Sequence, residues 1–219
     1  MNILLDPYYQ GLLVRGFGMT VLISVIVIVA SNLLALPLAI YMQRPKGRLR
    51  GIIIGYSFFA RAAPALALLF ALYYGLPKLG IYLDPLPSAL IGLTFASTAY
   101  NMEFLRSGYE SIPPGQLDAA RALGMRAVPM HLKVLMPQAY SSASPALFSN
   151  AIQMVKGSSL ASLVAIDELT AASTTMISET YKAIEILSFI AVLYGLIALV
   201  VLGLQSLYET RQRRMALRR

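Results

Sequence analysis

The 219 residues are 58% hydrophobic and 13% charged, with a mean hydropathy of +0.67; a soluble domain carries about 25% charged residues, so the balance points to a bilayer. Cysteine is absent and His131 is the only histidine, which excludes a disulfide, a thiol nucleophile, a thiolate metal site and a multi-histidine metal site. The net charge of +8 does not read as nucleic-acid binding, because no basic stretch is interleaved with stacking aromatics.

A hydrocarbon core about 30 Å thick needs roughly 20 apolar residues per helical span. The chain offers five such stretches, so the expected fold is all-α and polytopic, a single transmembrane domain over residues 1–219. Residues 1–11 hold no basic segment ahead of their apolar run, which argues against a cleaved signal peptide and for a retained first span. That span is expected from Thr20 to Met42, with Pro37 introducing a bend or a freed carbonyl. A second runs from Ile52 to Leu76, interrupted by Arg61 and Pro64, and a short Pro- and Gly-rich loop over 77–87 follows. The third covers Ser88 to Leu105, and residues 106–142 form a large polar loop. The fourth, Ser144 to Ile166, is weakened by Asn150, Gln153, Lys156 and its serines. After a segment over 167–183, the fifth covers Ile184 to Leu207. With Trp absent, Tyr supplies the interfacial belt.

Thirteen of the 18 basic residues fall in three places. Arg44, Lys46, Arg48 and Arg50 lie in the first loop; Arg106, Arg121, Arg126 and Lys133 lie in or beside the polar loop; Arg211, Arg213, Arg214, Arg218 and Arg219 end the chain. Five spans put all three on one side, and positive loops mark the cytoplasmic face. The expected topology is therefore N-terminus outside and C-terminus inside.

Within the polar loop, Pro113 and Pro114 suit an extended backbone and Gly115 permits an unusual one. Gln116 to Leu123 then reads as a helix with Asp118 in its first turn, where a carboxylate favours the dipole, and Gly124 as its C-cap. A second short helix is expected from Val128 to Met136, stopped by Pro137. Small Ala119 and Ala120 beside apolar Leu117, Leu123 and Met125 make a compact knob that fits a partner's groove. A plain interhelical loop lying on the membrane surface is the bland alternative.

The spacing of this loop is an acidic residue, two alanines, three residues, a glycine, nine residues, then Val134, Leu135, Met136 and Pro137. It resembles the coupling loop, the so-called EAA loop, of ABC importer permeases. Further residues in order extend the likeness from Gly16 to Glu209: Gly16 and Thr20; Arg61 to Pro64; Tyr73 to Pro77; Ala99, Tyr100, Glu103 and Arg106; Ile112 to Gln116; Asn150; Lys156 to Leu160; Glu168 to Thr170. Together these resemble the polar amino-acid permeases that serve histidine, glutamine, glutamate, arginine and opine uptake. The resemblance implies a type I permease fold and a bacterial inner-membrane subunit that binds no cofactor itself. It implies a second permease subunit, two cytoplasmic ATPases that hold ATP and Mg, and a periplasmic or lipid-anchored solute-binding protein. It implies coupling through Gln116, Asp118, Ala119, Ala120, Gly124 and Pro137. Three positions depart from the family pattern: Asp118 replaces Glu, Ala62 and Ala63 stand between Arg61 and Pro64 where Gly and Thr are usual, and Gly157 follows Lys156 where Asp is usual. The last removes a carboxylate and puts the solute, rather than the coupling, in question.

Ionisable groups inside a membrane cost several kcal/mol unless paired or hydrated, roughly, so each is a candidate for function. Arg61 beside Pro64 either pairs with an acid on a neighbouring helix or faces the solute path. Glu103 and Arg106 share a helical face and read as a structural pair. Lys156, with the small polar Ser158 and Ser159, is the strongest candidate for the path, for which Arg61, Pro64, Glu103 and Glu168 are the further candidates; the competing expectation for Lys156 is an ion pair with Asp167 or Glu168. The leading function is the membrane subunit of an ATP-driven amino-acid importer. The alternative is a secondary transporter with Glu103 or Lys156 carrying the proton. A scaffold or receptor has no use for the polar fourth span. No nucleophile–base pair, metal set or phosphate loop suggests an enzyme.

Overall fold

The computed structural model describes residues 6–43 and 47–216, and all regular structure among them is helical. Arg44, Lys46, Arg218 and Arg219, part of the charge pattern above, lie outside the described residues. Among the described residues nine α-helices follow in order: α1 Pro7–Met42, α2 Arg50–Ala62, α3 Ala65–Phe70, α4 Pro85–Glu110, α5 Pro114–Ala122, α6 Ala127–Met130, α7 Met136–Gly157, α8 Leu169–Thr180 and α9 Ala183–Ala216.

Helix α1 starts thirteen residues before the expected span. Asp6 accepts from the Tyr8 amide at 2.9 Å and Pro7 opens the first turn, where its missing N–H costs nothing. Its 36 residues extend about 54 Å, well beyond a hydrocarbon core. It runs through Pro37 without interruption. Among the described residues, only α1 and α9 are long and apolar enough to cross a membrane unaided. The expected second span is two pieces, Arg50–Ala62 and Ala65–Leu79, bent by 105°. The expected fourth span continues from α7 into a 3₁₀ segment, Ser158–Val164, and α8 then turns off at 56°.

Helix α4 covers the expected third span but is too polar to count among the helices apolar enough to cross a membrane unaided, and its composition reflects its position. It packs against α1, α2, α3 and α7, and it buries Ser88, Ala89, Gly92, Ala96, Ser97, Thr98, Ala99 and Asn101. Small residues let backbones approach closely where lipid offers no hydrophobic drive for helix association. Gly108 marks the tightest crossing: a Cβ there would overlap the Ala139 carbonyl of α7. Buried polar groups link the three central helices, as such groups must find partners away from water. Ser97 donates to Ser31 at 3.0 Å, Asn101 donates to Ser31 at 3.1 Å, and Asn150 donates to Asn101 at 2.8 Å and Ser97 at 2.9 Å.

Candidate functional site: a loop knob, a cleft and a charge ladder

The loop that carries the family-like spacing is a braced knob. Pro113 is extended, with φ −56° and ψ 134°, and α5 begins at Pro114. Asp118 is therefore the fifth residue of α5, past the first turn, and the dipole reading for it is corrected. Its carboxylate instead lies 3.7 Å from Arg121, both side chains being exposed. Helix α5 closes as expected: Gly124 has φ +71°, the left-handed region that favours glycine, and the Met125 amide reaches back to the Ala120 carbonyl at 3.1 Å.

The second short helix does not stop at Pro137. Helix α6, a π-helical turn over His131–Leu135 and α7 follow one another directly, and Pro137 sits in the opening turn of α7. A wider turn accommodates the imide that an α-helical interior rejects. Gln138 adds a side-chain donor to the Val134 carbonyl at 2.8 Å.

Each coupling candidate can now be placed. Gln116, Asp118, Ala119, Gly124 and Pro137 are exposed, while Ala120 is buried at 4% exposure. Ala120 and the half-buried Leu117 and Met125 pack beneath the knob with Ala39, Met42, Tyr109 and Met130. Leu123 alone of the expected apolar trio points away, 81% exposed. The knob is tied to α7 where Ser111 donates to Ser142 at 2.9 Å. Below it, the Tyr109 hydroxyl is buried without a hydrogen-bond partner among the described residues.

Deeper in the bundle an open cleft of about 540 Å³ lies between the α2–α3 break, α4 and α7, within the size range of small-molecule sites. Ala60, Ala63 and Ala65 form its wall at the break; Tyr100 and Phe104 come from α4; Ser149, Asn150 and Gln153 come from α7. Lys156 is exposed three residues beyond Gln153 and forms no ion pair among the described residues. The expected pairing with Asp167 or Glu168 does not occur.

Arg61 does meet an acid on a neighbouring helix. Its guanidinium lies 3.7 Å from Glu103, which also accepts from Arg106 at 2.8 Å and from Ser57 at 2.8 Å. Arg106 continues to Glu110. Pro64 is extended at the break, where α2 has ended, and Tyr100 donates to the Arg61 carbonyl at 3.2 Å.

Two of the path candidates, Ser158 and Glu168, are buried and hydrogen-bonded. Ser158 is fully buried and donates to the Val155 carbonyl in the last turn of α7 at 2.7 Å; Ser159, half-buried, does the same to Lys156. Glu168 is 0% exposed and caps α8, accepting from the amides of Thr170 at 2.8 Å and Ala171 at 3.0 Å. Its other oxygen accepts from Thr20 of α1 at 3.3 Å and from Tyr194 of α9. The carboxylate is thus a three-helix latch. Gly16 belongs to it, since a Cβ there would stand 3.1 Å from the Glu168 and Leu169 backbone. Nothing in the sequence placed Tyr194 here; Gly16 and Thr20, one turn apart, were the available signal.

A bundle of long, broken and polar helices, with a cleft at the break and a rigid knob at one end, defines the membrane subunit of a transport system. Residues 35–214 match the family of binding-protein-dependent transport system inner membrane components, and the chain belongs to that family. Among relatives, it is 32% identical to the octopine transport system permease protein of Rhizobium radiobacter, over 70% of this chain and 66% of that one. It is 30% identical to a probable glutamine ABC transporter permease protein of Bacillus subtilis, over 89% of each chain. It is also 30% identical to the nopaline transport system permease protein of Agrobacterium fabrum, over 87% of this chain and 83% of that one. A crystal structure of an amino acid ABC transporter superposes with TM-score 0.85 at 29% identity, covering 96% of this chain and 99% of that one. The MetNI methionine ABC transporter in an inward-facing form shares the fold, with TM-score 0.79 at 19% identity over 94% of this chain and 99% of that one.

Proposed function

We propose that this chain is the membrane-spanning subunit of an ATP-driven importer for an amino acid or close derivative, working in the bacterial cytoplasmic membrane. It pairs with a second permease subunit, takes its free energy from two ABC ATPases that hold ATP and Mg, and receives its solute from a binding protein outside. The observation that carries this reading is the braced knob: Gln116, Asp118, Ala119 and Gly124 are presented outward on a short helix held from beneath by Ala120, Leu117 and Met125. The amino-acid and opine relatives support the solute class.

In this mechanism the ATPases grip the two knobs, and closing on ATP moves them together. The motion reaches the spans through α4 and α7, which the loop joins, and the cleft changes side. Alternating access of this kind requires only that ATP and loaded binding protein favour different states of the bundle. The basic loops support an orientation with the knob in the cytoplasm and the N-terminus outside. Ser149, Gln153 and Lys156, on one exposed face of α7, would line the path, with Arg61 and Pro64 at the break.

The test is replacement of Gly124 by tryptophan. Any L-residue is strained at φ +71°, and a bulky one also obstructs the partner surface, where a Cβ now meets nothing within 4 Å. Uptake should be lost while the subunit stays in the membrane. Normal uptake by that variant would count against the knob as the coupling element.

A further inference from the structure

The charged groups of α2 and α4 connect the two features the proposed function needs. Arg61, Glu103, Arg106 and Glu110 form a continuous ladder down one flank of α4. Its upper end lies at the α2–α3 break, where Tyr100, a residue of the cleft wall, holds the Arg61 carbonyl. Its lower end, Glu110, is the last residue of α4, and the next residue, Ser111, ties the loop to α7. From Tyr100 to Glu110 is about 15 Å along the helix.

Two observations make this more than a static brace. First, four polar side-chain ties of α2 converge on α4: Tyr56 to the Phe95 carbonyl at 2.7 Å, Ser57 to Glu103, Arg61 to Glu103, and Tyr100 to Arg61; at the far end of α2, Arg50 donates instead to the Met42 carbonyl of α1 at 2.7 Å, a fixed point about which the rest can tilt. Beyond Ala62 two extended residues, Ala63 and Pro64, separate α2 from α3, so α2 can tilt against α4 without straining a continuous helix. Second, the rungs are unequal. Arg106 holds Glu103 at 2.8 Å, whereas Arg61 stands at 3.7 Å with its side chain 40% exposed. The Arg61 rung has room to shorten or to open, and Glu103, shared by both, registers the difference.

We propose that Glu103 is a positioning residue for energy coupling: it transmits displacement of α2 at the cleft to the foot of α4 and so to the knob. This rests on the ATP-driven reading above. The physical requirement is an element with two arrangements that both sites bias, and the hinge at Ala63 and Pro64 supplies it.

The experiment uses the complete complex with its ATPase and binding protein in proteoliposomes. It measures solute moved per ATP hydrolysed with labelled glutamine, glutamate, arginine and octopine as probes. Glu103→Gln keeps the shape and removes the charge; Arg61→Gln removes the long rung together with the Nε donation to the Ser57 carbonyl of its own helix at 3.2 Å. Both should assemble and lose about tenfold in solute per ATP, within the usual range of coupling between sites. The double variant should be little worse than Glu103→Gln, because the two share one tie. A merely structural role would lower uptake and stimulated hydrolysis together through loss of assembled complex, leaving the ratio unchanged, and an unchanged ratio in both variants overturns the proposal. Should Glu103→Gln fail to assemble, Arg61→Gln decides alone by the same ratio. Uptake by the unmodified complex without ATP would overturn the importer reading and this proposal with it, an outcome visible before any variant is made.

Discussion

The latch at Glu168 makes a graded prediction. Replacing Glu168 by alanine removes the cap of α8, worth about 1 kcal/mol. It leaves Thr20 and Tyr194 each short of a partner in a buried site, about 1 kcal/mol apiece. These stay near the low end because Thr20 still accepts from the Leu169 amide at 3.2 Å and Tyr194 still has Thr170 at 3.0 Å. The cavity left by the lost carboxyl adds about 1 kcal/mol. The total, about 4 kcal/mol, corresponds to a fall of roughly 8–16 °C in a chain of this length. Glu168→Gln should cost less, about 1–2 kcal/mol, because its amide oxygen can still accept from the two backbone amides while the hydroxyls turn to accept from its NH₂. The assay is the thermal midpoint of the purified complex, followed by its monodisperse peak in size-exclusion chromatography, since the chain has no tryptophan to report unfolding. An alanine variant with an unchanged midpoint would refute the latch, as would a glutamine variant that loses more than the alanine one.

Two further substitutions test other parts of the account. Gly108→Val forces a side chain into the Ala139 carbonyl, so the subunit should fail to accumulate in the membrane fraction. Gly11→Val, at a position with open space around it, is the control that should accumulate normally. Lys156→Gln breaks no ion pair among the described residues and should leave the thermal midpoint alone while lowering uptake about tenfold or more, the scale of one lost charge-assisted contact; equal uptake would remove Lys156 from the path.

How far the sequence carried follows from what each residue has to do. The first and last spans were legible because bilayer thickness imposes a length and an apolar content on each, and α9 begins one residue before its expected start. The Gly124 cap was legible because few residues but glycine tolerate the left-handed turn. Local chemistry misled where tertiary context decided otherwise. Asp118 missed the first turn because Pro114, two residues ahead of Gln116, is itself a good opening residue. Pro137 failed to stop a helix because a π turn absorbed it. The sharp break after Ala62 was signalled by Pro64, but its 105° angle depends on how α3 packs on α4. Glu168 was misjudged for another reason: an acid near an exposed lysine suggests an ion pair, yet four hydrogen-bond donors from three helices satisfy it more completely. Such convergence of distant residues leaves no periodic trace in the chain.

The most direct test of the central claim is uptake by the reconstituted complex, with its ATPase and binding protein, over basic, acidic, amide and opine-like amino acids. Each should be measured with and without ATP and with the ion gradient collapsed by an uncoupler. The account predicts uptake of one solute class that requires ATP and both partners and survives the uncoupler. Uptake that proceeds without ATP and disappears with the gradient would contradict it and make the chain a secondary carrier.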